Sequence, residues 1–200
     1  MLCRRLVTSP SLSSVSEQFH LIAPRLPSRG LSSAQTTIIL CVKKLALTPG
    51  TTEGPYYKKD SPEKTVLREK GVPGEQLLLT GRVLDANGAP LAHARLDFWQ
   101  ANGKGEYDNV GYVLRGHQLT GDAGMYTLET VVPGAYTGRT PHIHVKVTSP
   151  DGRSTLTTQL FVPGLASNKT DSIYRDDLQM KMSSAPGGKS ATFDFVLDVS

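Results

Sequence analysis

Six short stretches of alternating apolar and polar residues constrain this chain more than any other feature: 77–84, 94–99, 126–131, 142–147, 154–161 and 192–197. Period-two alternation over such lengths describes a strand with one face buried. Asp85-Ala86-Asn87-Gly88 and Asp122-Ala123-Gly124 read as turns between them, and 19 glycines and 13 prolines add further breaks. No long helix is indicated. Segment 172–181 is read as a short helix or turn and 164–170 as a loop. Short strands at this spacing predict an all-β chain, an antiparallel β-sandwich with long loops. The length of 200 residues suffices for one domain with a substantial core, and 38% hydrophobic content is ordinary for a globular chain. There is no internal repeat.

One predicted strand carries chemistry. Pro141-His142-Ile143-His144 places two histidines two residues apart, so both imidazoles share a face while Ile143 turns into the core. An isolated pair of this kind is more often merely polar than metal-binding. Two tyrosines change that balance. Tyr107 lies in Gly105-Glu106-Tyr107-Asp108-Asn109 and Tyr136 follows Pro133-Gly134-Ala135, both irregular segments of the sort that carry ligands on a rigid sheet. A phenol ionises near pH 10 in water and ligates well only beside a strongly charged, oxygen-loving cation. Two phenols with two imidazoles describe a mixed oxygen and nitrogen site suited to Fe(III).

Around these residues the chain resembles the intradiol ring-cleavage dioxygenases, which hold non-haem ferric iron with two tyrosines and two histidines. The resemblance is ordered. It runs through Thr52-Glu53-Gly54-Pro55-Tyr56-Tyr57, Leu96-Asp97-Phe98-Trp99-Gln100-Ala101-Asn102-Gly103 and Gly105-Glu106-Tyr107-Asp108-Asn109. It continues through Gly124-Met125-Tyr126, Pro133-Gly134-Ala135-Tyr136, Arg139-Thr140-Pro141-His142-Ile143-His144 and Leu156-Thr157-Thr158-Gln159, covering about residues 46 to 198.

The resemblance implies that Tyr107, Tyr136, His142 and His144 are the iron ligands. Tyr136 would be the axial tyrosine that leaves the iron when substrate binds, His142 the axial histidine, and Tyr107 with His144 the equatorial pair. Arg139 and Gln159 would sit beside the bound ring, and Tyr56 and Tyr57, after a Gly-Pro turn, are substrate-pocket candidates. The implied substrates are O2 and a catechol, with protocatechuate and hydroxyquinol as substituted forms, and the product is a muconate-type dicarboxylic acid. No organic cofactor or external reductant is implied.

The remaining histidines, His20, His93 and His117, lack a nearby ligand partner and read as solvated or structural. Tyr112, Tyr126 and Trp99 read as core or pocket-wall aromatics.

Residues 1–45 read as a leader and 46–200 as the catalytic domain. The first fifty residues hold six Lys or Arg against one acid, so the formal net charge of +4 belongs to them and the rest is about neutral. Nucleic-acid binding is not indicated. Rich in Arg and Ser, the leader resembles an organelle transit peptide of mitochondrial type, with Arg29-Gly30-Leu31 before Ser32 as a processing site. The alternative reading of the segment is a disordered extension, and the alternative locations are secreted or cytoplasmic. Pro10, Pro24 and Pro27 break it too often for the helical dimerisation region of larger family members, so any homo-oligomer must rest on another feature. No stretch approaches a transmembrane span. Asn168-Lys169-Thr170 is a glycosylation sequon only on a secreted chain. Cys3 and Cys41 both fall in the leader, so no disulfide framework holds the sandwich, and Cys41 could remain a free thiol.

Two other functions fit parts of the pattern. A transthyretin-like (prealbumin-like) binding module would explain Leu79-Thr80-Gly81-Arg82-Val83-Leu84-Asp85 and the Pro133-Gly134 turn but not four ligands. A zinc hydrolase built on His142 and His144 would need a third ligand.

Overall fold

The computed structural model describes residues 44–200. The expected leader, its processing site, Cys3 and Cys41 therefore lie outside the described residues, apart from Lys44 and Leu45. Nine strands follow in order: β1 (Gln76–Asp85), β2 (Arg95–Gln100), β3 (Arg115–Leu119), β4 (Met125–Val131), β5 (His142–Thr148), β6 (Thr155–Phe161), β7 (Lys181–Ala185), β8 (Gly188–Thr192) and β9 (Phe195–Leu197). Two 3-10 turns, Ala166–Lys169 and Asp176–Leu178, interrupt the passage from β6 to β7. They occupy the segments expected to be a loop and a short helix or turn.

The strands form two sheets. One has the order β4-β1-β8-β7 with β9 also beside β1, and the other the order β3-β2-β5-β6. Leu77, Leu79, Leu96, Phe98, Leu128, Ile143, Val145, Val147, Leu160 and Phe195 are almost wholly buried and form the core. Alternation dictates this: in β5, Ile143, Val145 and Val147 face that core, so His142, His144 and Lys146 lie on the opposite face. Both predicted turns are present, with the Asp85 carboxylate accepting the Asn87 and Ala89 N–H groups and Gly124 N–H donating to Gly121 O.

β3 and β7 fall outside the six predicted stretches, and two details of pairing and bounds also differ from expectation. β1 pairs in parallel with β8 and β9, although alternation suggested an antiparallel sandwich throughout. A tight hairpin enforces antiparallel pairing, whereas the long connection back to β1 leaves direction free. The stretch 192–197 is also broken into β8 and β9. At the break, Phe193 N–H donates to Thr80 O and the Asp194 carboxylate accepts Arg82 N–H, so two local contacts displace the ladder. Among the described residues no helix is long and apolar enough to cross a membrane.

Candidate metal centre

The non-core face of the four-stranded sheet is polar yet covered. Register lines up Arg115, Trp99, His144 and Gln159 as one cross-strand row, with His142 beside Phe161 in the next. Segment 51–61 straps this face down. Thr51 N–H bonds Thr157 O, Gln159 donates to Thr52 O, Glu53 pairs with Lys146, Tyr56 O accepts Arg115, and Ser61 donates to Asp97. Gly54 makes the closest approach. Its φ is +70°, and a side-chain carbon there would stand 3.3 Å from His144 Cε1. His144 is consequently 0% exposed, held between the strap and Trp99, whose ring stacks on it at 4.8 Å.

Two loops deliver the tyrosines. Asn102 Oδ1 accepts the Lys104 and Glu106 N–H groups, shaping the turn before Tyr107. Gly105 then lies against Ala135 O so closely that a Cβ would clash at 2.0 Å. This backbone contact brings the loops of Tyr107 and Tyr136 together. Beyond Tyr136, Arg139 N–H closes a turn onto Tyr136 O at 2.7 Å and sets their side chains on one side.

The four expected ligands converge. His142 Nε2 and His144 Nε2 are 3.1 Å apart, the rings of Tyr107 and Tyr136 meet edge-on at 5.4 Å, Tyr136 lies 5.7 Å from His142, and Tyr107 lies 6.4 Å from His144. His142 Nδ1–H donates to Thr140 O at 2.7 Å, which leaves Nε2 with its lone pair aimed inward. The Tyr107 hydroxyl is buried with no hydrogen-bond partner among the described residues. An orphan donor in such a place is costly unless something else engages it.

Burial also sets the protonation states. It pushes His142 down to about 4, and, with the neighbouring His142, holds His144 well below the ordinary imidazole value. Both imidazoles are neutral at pH 7, the form that ligates a metal. Burial likewise raises Tyr107 and Tyr136 above the ordinary phenol range, although Arg139 partly opposes the shift at Tyr136. Without a cation both stay phenols. The donor set, two hard oxygens that need a strong charge to ionise and two neutral nitrogens, fits ferric iron.

Arg139 and Gln159 are both in the site and touch: Arg139 Nη2 donates to Gln159 Oε1 at 2.6 Å. Tyr56 stacks on Tyr107 at 4.2 Å and meets Tyr136 edge-on at 5.8 Å. Tyr57 is placed elsewhere. It packs on Trp99 at 4.9 Å beneath Lys146, with its hydroxyl toward Asp97. His117 bonds Ser61 through Nδ1 and His93 is exposed, each apart from the four ligands. Tyr126 is a core residue whose hydroxyl bonds Phe193 O at 2.8 Å.

Several contributors carry no signal in the sequence. Arg115, 2% exposed, bonds both Asp108 O and Tyr56 O and so fixes the segments of Tyr107 and Tyr56. Asp171 and Asn168, on the connection after β6, bond Arg139 and Thr140. Asn168 is buried and its amide nitrogen donates to Val162 O, so a glycan on the sequon would break this packing. Among the described residues no three His, Cys, Asp or Glu side chains converge as a metal site. A zinc site on His142 and His144 thus finds no third conventional ligand there.

A family profile described as Dioxygenase matches residues 52–199. Hydroxyquinol 1,2-dioxygenase of Rhizobium sp. (strain MTP-10005) is 33% identical over 153 residues, covering 62% of this chain and 50% of that protein. Catechol 1,2-dioxygenase of Acinetobacter baylyi is 32% identical over 146 residues, 58% of this chain and 47% of that protein. The chain spans about half the length of these curated relatives. Among solved structures, the dioxygenase domain of a dioxygenase carbohydrate-binding protein fusion from Streptomyces sp. SirexAA-E is 50% identical. It superposes with a TM-score of 0.75 over 78% of this chain and 100% of that one.

Proposed function

The chain belongs to the intradiol ring-cleavage dioxygenase family, and from that premise we propose that it holds ferric iron at Tyr107, Tyr136, His142 and His144. With it, the protein uses O2 to cleave catechol or a substituted catechol between the two oxygenated carbons. Both oxygen atoms enter the product, a muconate-type dicarboxylic acid, so no external reductant is consumed. The observation that carries this reading is the convergence of two phenols and two neutral imidazoles around Nε2 atoms 3.1 Å apart.

Ferric iron bound there would supply the charge that favours doubly deprotonated catechol and draws electron density from its ring toward reaction with O2. The protein's own groups do the rest. Tyr136 would be the group that accepts a substrate proton at its oxygen, since a phenolate that no cation holds has a high affinity for protons. Arg139 stands one tight turn away and offers donors to negative charge developing on the ring. Tyr56 and Tyr107, stacked face to face, wall the site with apolar surface and keep water from the reacting carbons.

Oxygen uptake in the presence of catechol, with one muconate formed per O2, is the expected product result. Consumption of catechol without ring opening, or no turnover by iron-loaded protein across catechol, protocatechuate and hydroxyquinol, would contradict the proposal. Arg139→Ala is expected to keep iron and colour but slow cleavage about 10²-fold, the scale of losing one preorganised charge-stabilising donor. An Arg139→Ala protein that cannot retain iron would contradict the role given to Arg139.

A further inference from the structure

We propose that Asp171 positions Arg139 for ring cleavage, an inference that rests on the reading above of Arg139 as the group meeting developing negative charge. Asp171 lies 32 residues beyond Arg139 in sequence, on the connection between β6 and β7. Its carboxylate is 1% exposed and carries one oxygen to two donors, Arg139 Nε and Thr140 N, each at 2.9 Å. The other oxygen accepts Ile173 N–H at 2.9 Å. Burial pushes the carboxyl up, but the donors from Ile173, Thr140 and Arg139 outweigh it and hold Asp171 below the usual carboxylate range.

The guanidinium is thereby gripped at two points. Nε is bonded to Asp171 and Nη2 to Gln159 Oε1, while Gln159 Nε2 is itself tied to Thr52 O at 2.9 Å. Neither Asp171 nor Gln159 engages Nη1, and the Tyr136 hydroxyl lies beside the same guanidinium. Two fixed points set the plane of a flat fork. An arginine held this way has lost its rotamer freedom before substrate arrives, which is where preorganised electrostatic stabilisation comes from. Thr140 links the same carboxylate to a ligand, since Thr140 O accepts His142 Nδ1–H. A buried ion pair is by itself a weak source of stability, so stability alone is a poor reason for this one.

The test is a double-mutant cycle with Asp171→Asn and Arg139→Ala in the iron-loaded protein, reading kcat, KM, the visible band and the melting temperature. Asp171→Asn alone should lower kcat about 10-fold, leave KM within about 2-fold and keep the band. In the Arg139→Ala background the same change should cost less than about 2-fold, because its target is gone. Melting shifts should be non-additive in the same sense. Equal kcat losses in both backgrounds, or loss of the band in Asp171→Asn, would overturn the positioning role. Should Asp171→Asn not fold, Asp171→Glu keeps the charge and displaces the fork. A fall in kcat with the band intact is then expected, and wild-type kcat would overturn the role. A wild-type protein that neither holds iron nor cleaves any catechol sinks the site reading and with it the role in cleavage. Additive melting shifts in an active enzyme sink the pairing alone.

Discussion

His144→Ala is expected to lose iron, visible colour and ring cleavage together while the sandwich stays folded. The reason lies in how completely this imidazole is enclosed. It is 0% exposed, stacked on Trp99 at 4.8 Å and capped by Gly54, with Nε2 3.1 Å from that of His142. No other side chain in the row Arg115, Trp99, His144, Gln159 is a metal ligand of comparable strength, since an arginine, an indole and an amide flank it. Truncation leaves a void and a three-donor set, and activity should fall below detection. The core faces the other way through Ile143 and Val145, so folding should survive with a loss of about 2–4 kcal/mol, the scale of cavity formation. Circular dichroism with metal analysis and an oxygen-uptake assay would check it. A coloured, active His144→Ala protein would remove His144 from the ligand set.

Tyr136→Phe separates binding from chemistry. Three of the four proposed ligands remain, so partial iron and a weakened visible band should persist, carried by Tyr107. Turnover should fall by about 10²–10⁴-fold, the usual worth of a positioned proton acceptor. The ring is retained and the edge contacts with Tyr107 and His142 keep their shape, so a packing defect is not the expected cause. Stopped-flow mixing with catechol should show slow or incomplete deprotonation on binding. Wild-type turnover in Tyr136→Phe would refute the proton-accepting role.

How much of this was legible in the sequence depends on the range of the contact. His142 and His144 declare a shared face because period two is local, and Ile143 is in the core as that period requires. The turns at Asp85 and Gly124 are local too. β3 gives no strand signal because Arg115-Gly116-His117 carries no apolar alternation: its outward residues lie under the strap, and Gly116 sits where a Cβ would crowd Leu67. β7 is an exposed edge with no buried face to mark it. Tyr107 and Tyr136 stand on loops, whereas His142 and His144 stand on the sheet face at the start of β5. The convergence of Tyr107 with Tyr136 rests on Gly105 meeting Ala135 O, and the hold on Arg139 rests on Asp171. Neither contact has a periodic signature. Tyr56 and Tyr57 are adjacent in sequence yet part company, one against the two site tyrosines and one behind Trp99, because Tyr56 lies in the turn that follows Gly54 and Tyr57 just beyond it.

The visible spectrum of purified protein, supplied with iron and recorded before and after anaerobic addition of catechol, tests the central claim most directly. A broad red-brown charge-transfer band that shifts when catechol is added is the predicted result, since it requires phenolate on ferric iron and direct ligation of the substrate. A colourless protein that stays colourless after ferric iron is supplied, with zinc or no metal bound, would contradict the account.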